Sequence, residues 1–212
     1  MQREPARKRR ALSALALVAC AIVLAAILAF VAGQARDRID RNAQAWIQQR
    51  LDTLVPARMH DNDLLTDRIR VVAPAILGIA APVTIYRARL GTQPVAAILQ
   101  TVAPDGYQGP IELLVAIHYD GTLIGVQVIR HQETPGLGDA FENRDAHWLA
   151  RFRGLSLQNP PQQRWSVRSD GGDFDAFTGA TITPRAIVKA TRRALEYYQS
   201  DRERIFSTQA SP

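Results

Sequence analysis

The chain has 212 residues, 47% of them hydrophobic, and this length is sufficient for one mid-sized domain and an additional segment. The net charge is +6, but the basic residues either cluster near the N-terminus or alternate with acidic residues, which argues against a nucleic-acid-binding surface. A single cysteine, Cys20, excludes an intrachain disulfide and a four-cysteine iron–sulfur site, and the four histidines lack the spacing of a metal site.

An apolar segment follows the basic N-terminus. Residues 11–32 contain no charged residue and would extend over roughly 33 Å as a helix, enough to cross a bilayer core. We therefore predict a transmembrane helix at 11–32. Because lysine and arginine resist translocation, the basic tail at 1–10 is expected to stay in the cytoplasm, with the rest of the chain on the other side of the membrane.

Two other interpretations of this segment compete with a transmembrane helix. A cleaved signal peptide has a shorter apolar core than residues 11–32. Residues 17–20, which end in Cys20, resemble a lipoprotein signal, but the chain stays apolar up to residue 32, where a mature lipoprotein would become polar. We interpret Cys20 as a small apolar residue of the helix.

The segment after the apolar run has helical periodicity. Apolar residues recur every three or four positions over 37–54, and Pro56 ends the pattern. We predict a juxtamembrane stalk helix within residues 33–60, then a folded domain at 61–206 and a polar tail at 207–212.

Strand patterns dominate the first half of that domain. They cover residues 69–72, 83–89, 95–102, 111–119 and 122–131, with proline-containing and glycine-containing breaks between them. Asp120-Gly121 between the last two apolar runs is the strongest short signal for a β-hairpin, and we expect that hairpin to lie at the centre of an antiparallel sheet. A short helix at 141–152 and a strand at 164–167 are also expected. The predicted fold class is α+β, with the antiparallel sheet packed against helices.

Two loop motifs stand out from this background. The first follows the hairpin and extends from His131 through Glu133-Thr134-Pro135-Gly136-Leu137-Gly138 to Asp139. The second is Asp175-Ala176-Phe177-Thr178-Gly179-Ala180-Thr181, directly before an amphipathic helix for which Thr183 is the expected N-cap and Pro184 the first helical residue. Helix N-termini bind phosphate well, and the small residues Gly179 and Ala180 permit close approach to the Thr181 hydroxyl.

Both motifs resemble one family, the FMN-binding components of two membrane complexes: the G component of the Rnf electron-transport complex and the C component of the sodium-pumping NADH:quinone oxidoreductase. The second motif matches the D-x-x-[ST]-G-A-[TS] signature and the first matches H-x-E-T-P-G-L-G in full. The Gly106-Tyr107-x-Gly109 loop is also similar to the family. The two motifs occur in the family's order, about forty residues apart, and the resemblance covers the domain from the stalk to the last helix.

The resemblance implies a covalent flavin. FMN would be esterified through its phosphate to Thr181 by a separate flavin transferase that uses FAD as donor, because no base or metal that would activate Thr181 is visible in the sequence. The implied recognition residues are Asp175, Thr178, Gly179 and Ala180. Candidates for lining the ring or its ribityl chain are His131, Glu133, Thr134, Gly136, Leu137 and Gly138, with Tyr107 and Phe177 as weaker candidates. No metal site or catalytic residue is expected.

The implied function is an electron relay without a substrate site of its own. It would pass electrons between other subunits of an ion-translocating complex in the bacterial inner membrane, with the flavin domain in the periplasm. The G component of the Rnf complex is favoured over the sodium-pump component because the chain is compact and Asp139 follows Gly138 directly. The alternatives are a component like that of the sodium pump and a membrane-anchored adaptor domain that binds a protein partner without a cofactor.

Overall fold

A computed structural model describes residues 4–77, 79–142 and 147–207, although the side chains of residues 4–18, 32, 34–37, 39–40 and 74–75 lie outside the description. The chain divides into two compact units, Met1–Ile47 and Gln48–Pro212. This division falls within the segment that we predict as a stalk.

The described residues of the first unit are helical and belong to α1, which extends over Glu4–Leu54. It includes the residues predicted to be helical at 37–54. Large apolar side chains between residues 22 and 31 are 54–69% exposed. Among the described residues, no helix combines the length and the apolar character that a membrane span requires. The predicted membrane segment at 11–32 falls partly outside the described residues, because the side chains of 11–18 are not described.

A five-stranded antiparallel sheet forms the centre of the second unit and confirms the α+β prediction. Its strands are β1 (Arg68–Val71), β2 (Val83–Leu90), β3 (Gln93–Ala103), β4 (Ile111–His118) and β5 (Leu123–Arg130), in the spatial order β1-β2-β3-β4-β5. Asp120 and Gly121 form the β4–β5 turn as predicted, with Gly121 at a positive φ of 94°. The hairpin is not central, however, because β3 is the middle strand and β5 lies at one edge.

The two faces of the sheet are covered by different helices. Helix α3 (Ile182–Ser207) packs on β3 and β4, where its apolar stripe joins the main hydrophobic core. The last turn of α1 approaches the opposite face, since a Cβ added at Gly125 of β5 would lie 3.3 Å from Leu54 Cδ2. Leu51 and Val55 of this segment are fully buried. Both faces of the central strands are therefore apolar, which explains their near-continuous hydrophobic runs. A single helical turn, α2 (Pro74–Leu77), also contacts α3.

A charged network holds the C-terminal end of α3 against β2. Arg87, which is 2% exposed, donates to the carbonyl oxygen of Ile205 at 2.9 Å, and Arg89 donates to that of Phe206 at 2.8 Å. Asp67 accepts hydrogen bonds from both guanidinium groups, at 2.7 and 2.8 Å. The last carbonyl groups of a helix have no partner within it, so these arginines satisfy them.

The region between β5 and α3 contains less regular structure than the sequence predicts. The expected helix at 141–152 is replaced by two short 3₁₀ helices, Ala140–Glu142 and Trp148–Phe152, with 143–146 outside the described residues. The expected strand at 164–167 is wrong: a 3₁₀ turn occupies Gln162–Arg164, and Val167 makes only an isolated bridge to Phe174. Aromatic side chains fill this region, namely Phe141, Trp148, Phe152, Trp165, Phe174 and Phe177.

Candidate functional site

The second loop motif ends in a tight turn that places Thr181 at the beginning of α3. Phe177 and Ala180 form an isolated antiparallel bridge, and Gly179 adopts a positive φ of 79° that a side chain would strain. The helix begins at Ile182, and the N–H of Arg185 donates to the carbonyl oxygen of Thr181 at 3.3 Å. Thr181 therefore occupies the N-cap position, and the expectation that Thr183 caps the helix is wrong.

The first residue of the same motif, Asp175, is held by a hydrogen bond to its carbonyl oxygen and by two arginines that pair with its carboxylate. The indole N–H of Trp148 donates to the carbonyl oxygen of Asp175 at 2.9 Å. The Asp175 carboxylate pairs with Arg168 at 3.0 Å and with Arg151. Phe177 is buried against Trp148, with the ring centroids 5.0 Å apart. Asp175 and Phe177 thus connect the motif to the neighbouring 3₁₀ helix and to the core.

The first loop motif forms a compact turn after β5. The N–H of Gly138 donates to the carbonyl oxygen of Thr134 at 2.9 Å, and the N–H of Gly136 donates to the Asp139 carboxylate at 2.7 Å. Gly136 has a positive φ of 75°. The turn carries Thr134, Leu137 and Gly138 towards the first turn of α3.

Glu133 connects this turn to two other segments. It is only 3% exposed. One carboxylate oxygen accepts a hydrogen bond from the buried Thr183 hydroxyl, and the other accepts one from the backbone N–H of Gln108 at 3.1 Å. A Cβ added at Gly138 would lie 3.0 Å from the Glu133 carboxylate, and one at Gly106 would also lie 3.0 Å from it. The two glycines leave room for the carboxylate between the segments.

These segments enclose a cleft beside Thr181, which we call the Thr181 cleft. Its volume is about 150 Å³, and its lining residues are Tyr107, Glu133, Thr134, Leu137, Gly138, Gly179, Ala180, Thr181, Ile182 and Thr183. Glu133 is the only ionisable side chain in the lining besides Tyr107. Three apolar or aromatic side chains at the rim are exposed, namely Tyr107 (62%), Leu137 (44%) and Ile182 (43%).

The Gly106–Gly109 loop is also connected to α3 on its solvent-exposed side. Lys189 of α3 contacts the Asp105 carboxylate at 2.5 Å. The hydrogen bond from Lys189 holds the pKa of Asp105 below its usual value. The helix is thus connected to this part of the chain at two places: through Asp105, which directly precedes the loop, and through the buried Glu133, which bonds Gln108 and Thr183.

The structure brings together most of the residues singled out by the sequence, but not all of them. The cleft lining includes Glu133, Thr134, Leu137, Gly138, Gly179, Ala180, Thr181 and the weaker candidate Tyr107. It does not include His131, Gly136, Asp175, Thr178 or Phe177. His131 instead contacts Glu142 through Nε2 at 2.9 Å, stacks edge-on against Phe141, and accepts the Glu133 N–H at Nδ1. Two features were not predicted from the sequence, namely Ile182 as a lining residue and Thr183 as the partner of Glu133.

The geometry of the cleft is compatible with one end of a flavin nucleotide. The first N–H groups of α3 have no partner within the helix and favour a phosphate group beside Thr181. The small residues at 138, 179 and 180 leave the approach open. The cleft is smaller than the roughly 300–1,000 Å³ of a pocket that encloses its ligand, so a planar ring would extend across the exposed rim. Among the described residues, no group of histidine, cysteine and acidic side chains is arranged to hold a metal ion.

Comparison with known proteins gives a consistent result. Residues 106–196 match the model of the FMN-binding domain. The chain is 41% identical over 191 residues to a Shewanella loihica protein named as the G component of the ion-translocating oxidoreductase complex, covering 90% of each chain. It is 48% identical over 159 residues to the Yersinia pestis protein of that name, covering 74% of this chain and 76% of the relative. The Pseudomonas aeruginosa protein of that name is 47% identical over 154 residues, covering 73% of this chain and 72% of the relative.

Proposed function

Because the chain belongs to the family of G components of ion-translocating oxidoreductase complexes, we propose that it is the electron-relay subunit of such a membrane complex and carries FMN on Thr181. The observation that supports this most directly is the position of Thr181. Thr181 is partly exposed, lines the cleft and directly precedes α3. A phosphate esterified to this hydroxyl would lie at the positive end of the helix.

The attachment reaction requires a separate enzyme. The Thr181 oxygen forms a bond to the FMN phosphorus of FAD, the bond from that phosphorus to the bridging oxygen breaks, and AMP leaves. The hydroxyl proton must pass to a base. The acid in the cleft lining, Glu133, already accepts hydrogen bonds at both oxygens, which makes it unsuited to this role. We therefore assign the base to a flavin transferase, with Asp175, Thr178, Gly179 and Ala180 as the segment that it recognises.

The exposed rim is the proposed support for the isoalloxazine ring. Tyr107, Leu137 and Ile182 offer apolar and aromatic surface next to Thr181, and the grouping of three such exposed residues around one cleft favours a ligand. Bound FMN would supply the one- or two-electron chemistry, and the ester would prevent its loss from the protein. Because the cleft holds only part of the nucleotide, an edge of the ring would remain accessible to another protein of the complex.

We also propose that residues 11–32 cross the bacterial inner membrane once. The support is the uncharged sequence, the basic residues at 1–10 and the exposed apolar side chains of α1 between residues 22 and 31. The N-terminus would be cytoplasmic and the domain that carries Thr181 periplasmic. Contacts with the other subunits of the complex would then lie within the membrane and on its periplasmic side.

The test is the mass of the intact chain after expression with and without a flavin transferase. We expect the wild-type chain and Thr181→Ser to gain the mass of one FMN less one water, and Thr181→Ala to gain nothing, since serine retains the hydroxyl and alanine does not. The denatured wild-type protein should fluoresce as a flavin in a gel. A Thr181→Ala variant that still carries covalent flavin would disprove the attachment site, and an unmodified wild-type chain would favour the cofactor-free adaptor.

A further inference from the structure

Glu133 is a buried ionisable residue of the cleft lining, and the proposed electron-transfer and attachment chemistry gives it no role. A carboxylate is costly to bury unless it accepts hydrogen bonds. Here the two donors come from residues that are distant in sequence: the Thr183 hydroxyl is 50 positions away and the Gln108 N–H is 25 positions away. The three residues come from three different segments that surround the cleft.

The positions of these donors relate the carboxylate to Thr181. Thr183 lies in the first turn of α3, two residues after Thr181, and is fully buried. Gln108 follows Tyr107, which also lines the cleft. A bond from Glu133 to each of them therefore sets the width of the opening beside the Thr181 hydroxyl. Hydrogen bonds to an ionised acceptor are about twice as strong as neutral ones, so a carboxylate suits this role better than an amide.

We propose that Glu133 is a positioning residue, which holds the first turn of α3 and the Gly106–Gly109 loop at the separation that presents Thr181 for flavin attachment. This inference rests on the proposed function, because it takes Thr181 as the attachment site. It assigns to Glu133 no contact with the reacting atoms.

The first test uses the protein without flavin. In Glu133→Ala, amide hydrogen exchange at Gln108 should accelerate at least about tenfold, because its acceptor is lost, while exchange at buried amides of β4 should be unchanged. Glu133→Gln keeps the shape and one acceptor oxygen and should give an intermediate rate. Unchanged exchange at Gln108 in both variants would overturn the inference, and equal acceleration throughout the sheet would show a merely structural role.

The second test measures attachment of FMN by a flavin transferase with FAD. We expect Glu133→Ala to slow attachment at saturating transferase by about tenfold or more, and Glu133→Gln to slow it less. The matched control is Lys189→Ala, which removes the exposed contact between Asp105, which directly precedes the same loop, and the same helix. An exposed pair contributes little, so its rate should remain close to that of the wild type.

Thr183 variants keep the inference testable if Glu133→Ala does not fold. Thr183→Val preserves the shape but removes the donor, whereas Thr183→Ser retains it. We expect slow attachment for the valine variant and a rate near wild type for the serine variant. Equal rates in all variants, with normal attachment to the wild-type chain, would overturn the role of Glu133 alone. Failure of attachment to the wild-type chain would contradict the proposed function instead, and the exchange measurement at Gln108 would still test the contact.

Discussion

The indole nitrogen of Trp148 donates a hydrogen bond to the carbonyl oxygen of Asp175 over 2.9 Å. This contact joins the 3₁₀ helix Trp148–Phe152 to the first residue of the motif that ends at Thr181. Because the Trp148 ring also packs on Phe177, the motif is held by one polar and one apolar contact with the same side chain. The conformation of the proposed attachment segment therefore depends on a residue outside it.

Replacing Trp148 with phenylalanine should both destabilise the domain and slow flavin attachment. The change leaves the Asp175 carbonyl without its donor and creates space in the aromatic core, at a cost of about 2–4 kcal/mol in the free energy of unfolding. Urea denaturation and the transferase reaction would measure the two effects. Trp165→Phe is the matched control, because Trp165 is also buried and donates to Ser156 and Pro160 instead. A similar loss of attachment in both variants would show that stability alone is responsible.

Removing the Asp67 carboxylate should destabilise the domain much more than removing a surface charge. Asp67→Ala removes the carboxylate that pairs with the buried Arg87, and breaking such a pair costs about 3–5 kcal/mol. Glu112→Ala, which removes the partner of the exposed Arg130, should cost less than about 1 kcal/mol. The comparison requires the free energy of unfolding at neutral pH. Similar values for the two variants would contradict the importance that we give to the network at the end of α3.

The stability of the domain should fall at alkaline pH because of its buried tyrosines. Burial raises the pKa of Tyr198 above its usual value of 10.0, and it also raises the pKa of Tyr197 and of Tyr86. Above pH 10 the unfolded chain loses these protons while the folded chain keeps them, so the free energy of unfolding decreases as pH rises towards the folded pKa. Below pH 10 the contribution is fully present.

Tyr198→Phe tests this prediction. The variant loses the hydrogen bond from the Tyr198 hydroxyl to the carbonyl oxygen of Tyr119, so it should be slightly less stable at neutral pH. Its stability should then decrease less steeply above pH 10 than that of the wild type. Denaturant unfolding at a series of pH values would give both slopes, and identical slopes would exclude Tyr198 as a source of the alkaline loss.

Local signals in the sequence were sufficient for most of the fold. Alternation and turn residues identified all five strands, and Asp120-Gly121 marked the β4–β5 turn, because both signals depend on neighbouring residues. The strand expected at 164–167 did not form, because within the described part of the chain its one strand-like pairing is the isolated bridge of Val167 with Phe174. The position of the hairpin at the sheet edge depends on the order of all five strands, which no short segment encodes.

In the candidate site, too, features set by neighbouring residues could be predicted, whereas those set by distant residues could not. The two loop motifs located Thr181 and most of the cleft lining from short strings of residues. The role of Thr183 was missed because its hydroxyl has two possible uses, a local cap or a bond to a distant acceptor, and the acceptor lies 50 positions away. The position of His131 outside the cleft lining depends on Glu142 and Phe141, which belong to a 3₁₀ helix that the periodicity did not reveal.

Each strand of the sheet pairs with the next strand in the chain, whereas α3, which covers one of its faces, comes last. During synthesis the hairpins can therefore assemble one after another, but the main core stays open until the C-terminal helix has left the ribosome. The hydroxyl that we propose as the flavin ester precedes that helix directly. Under the proposed function, a chain that has not yet folded this helix would lack a finished substrate for the transferase, and cofactor loading would follow the completion of α3.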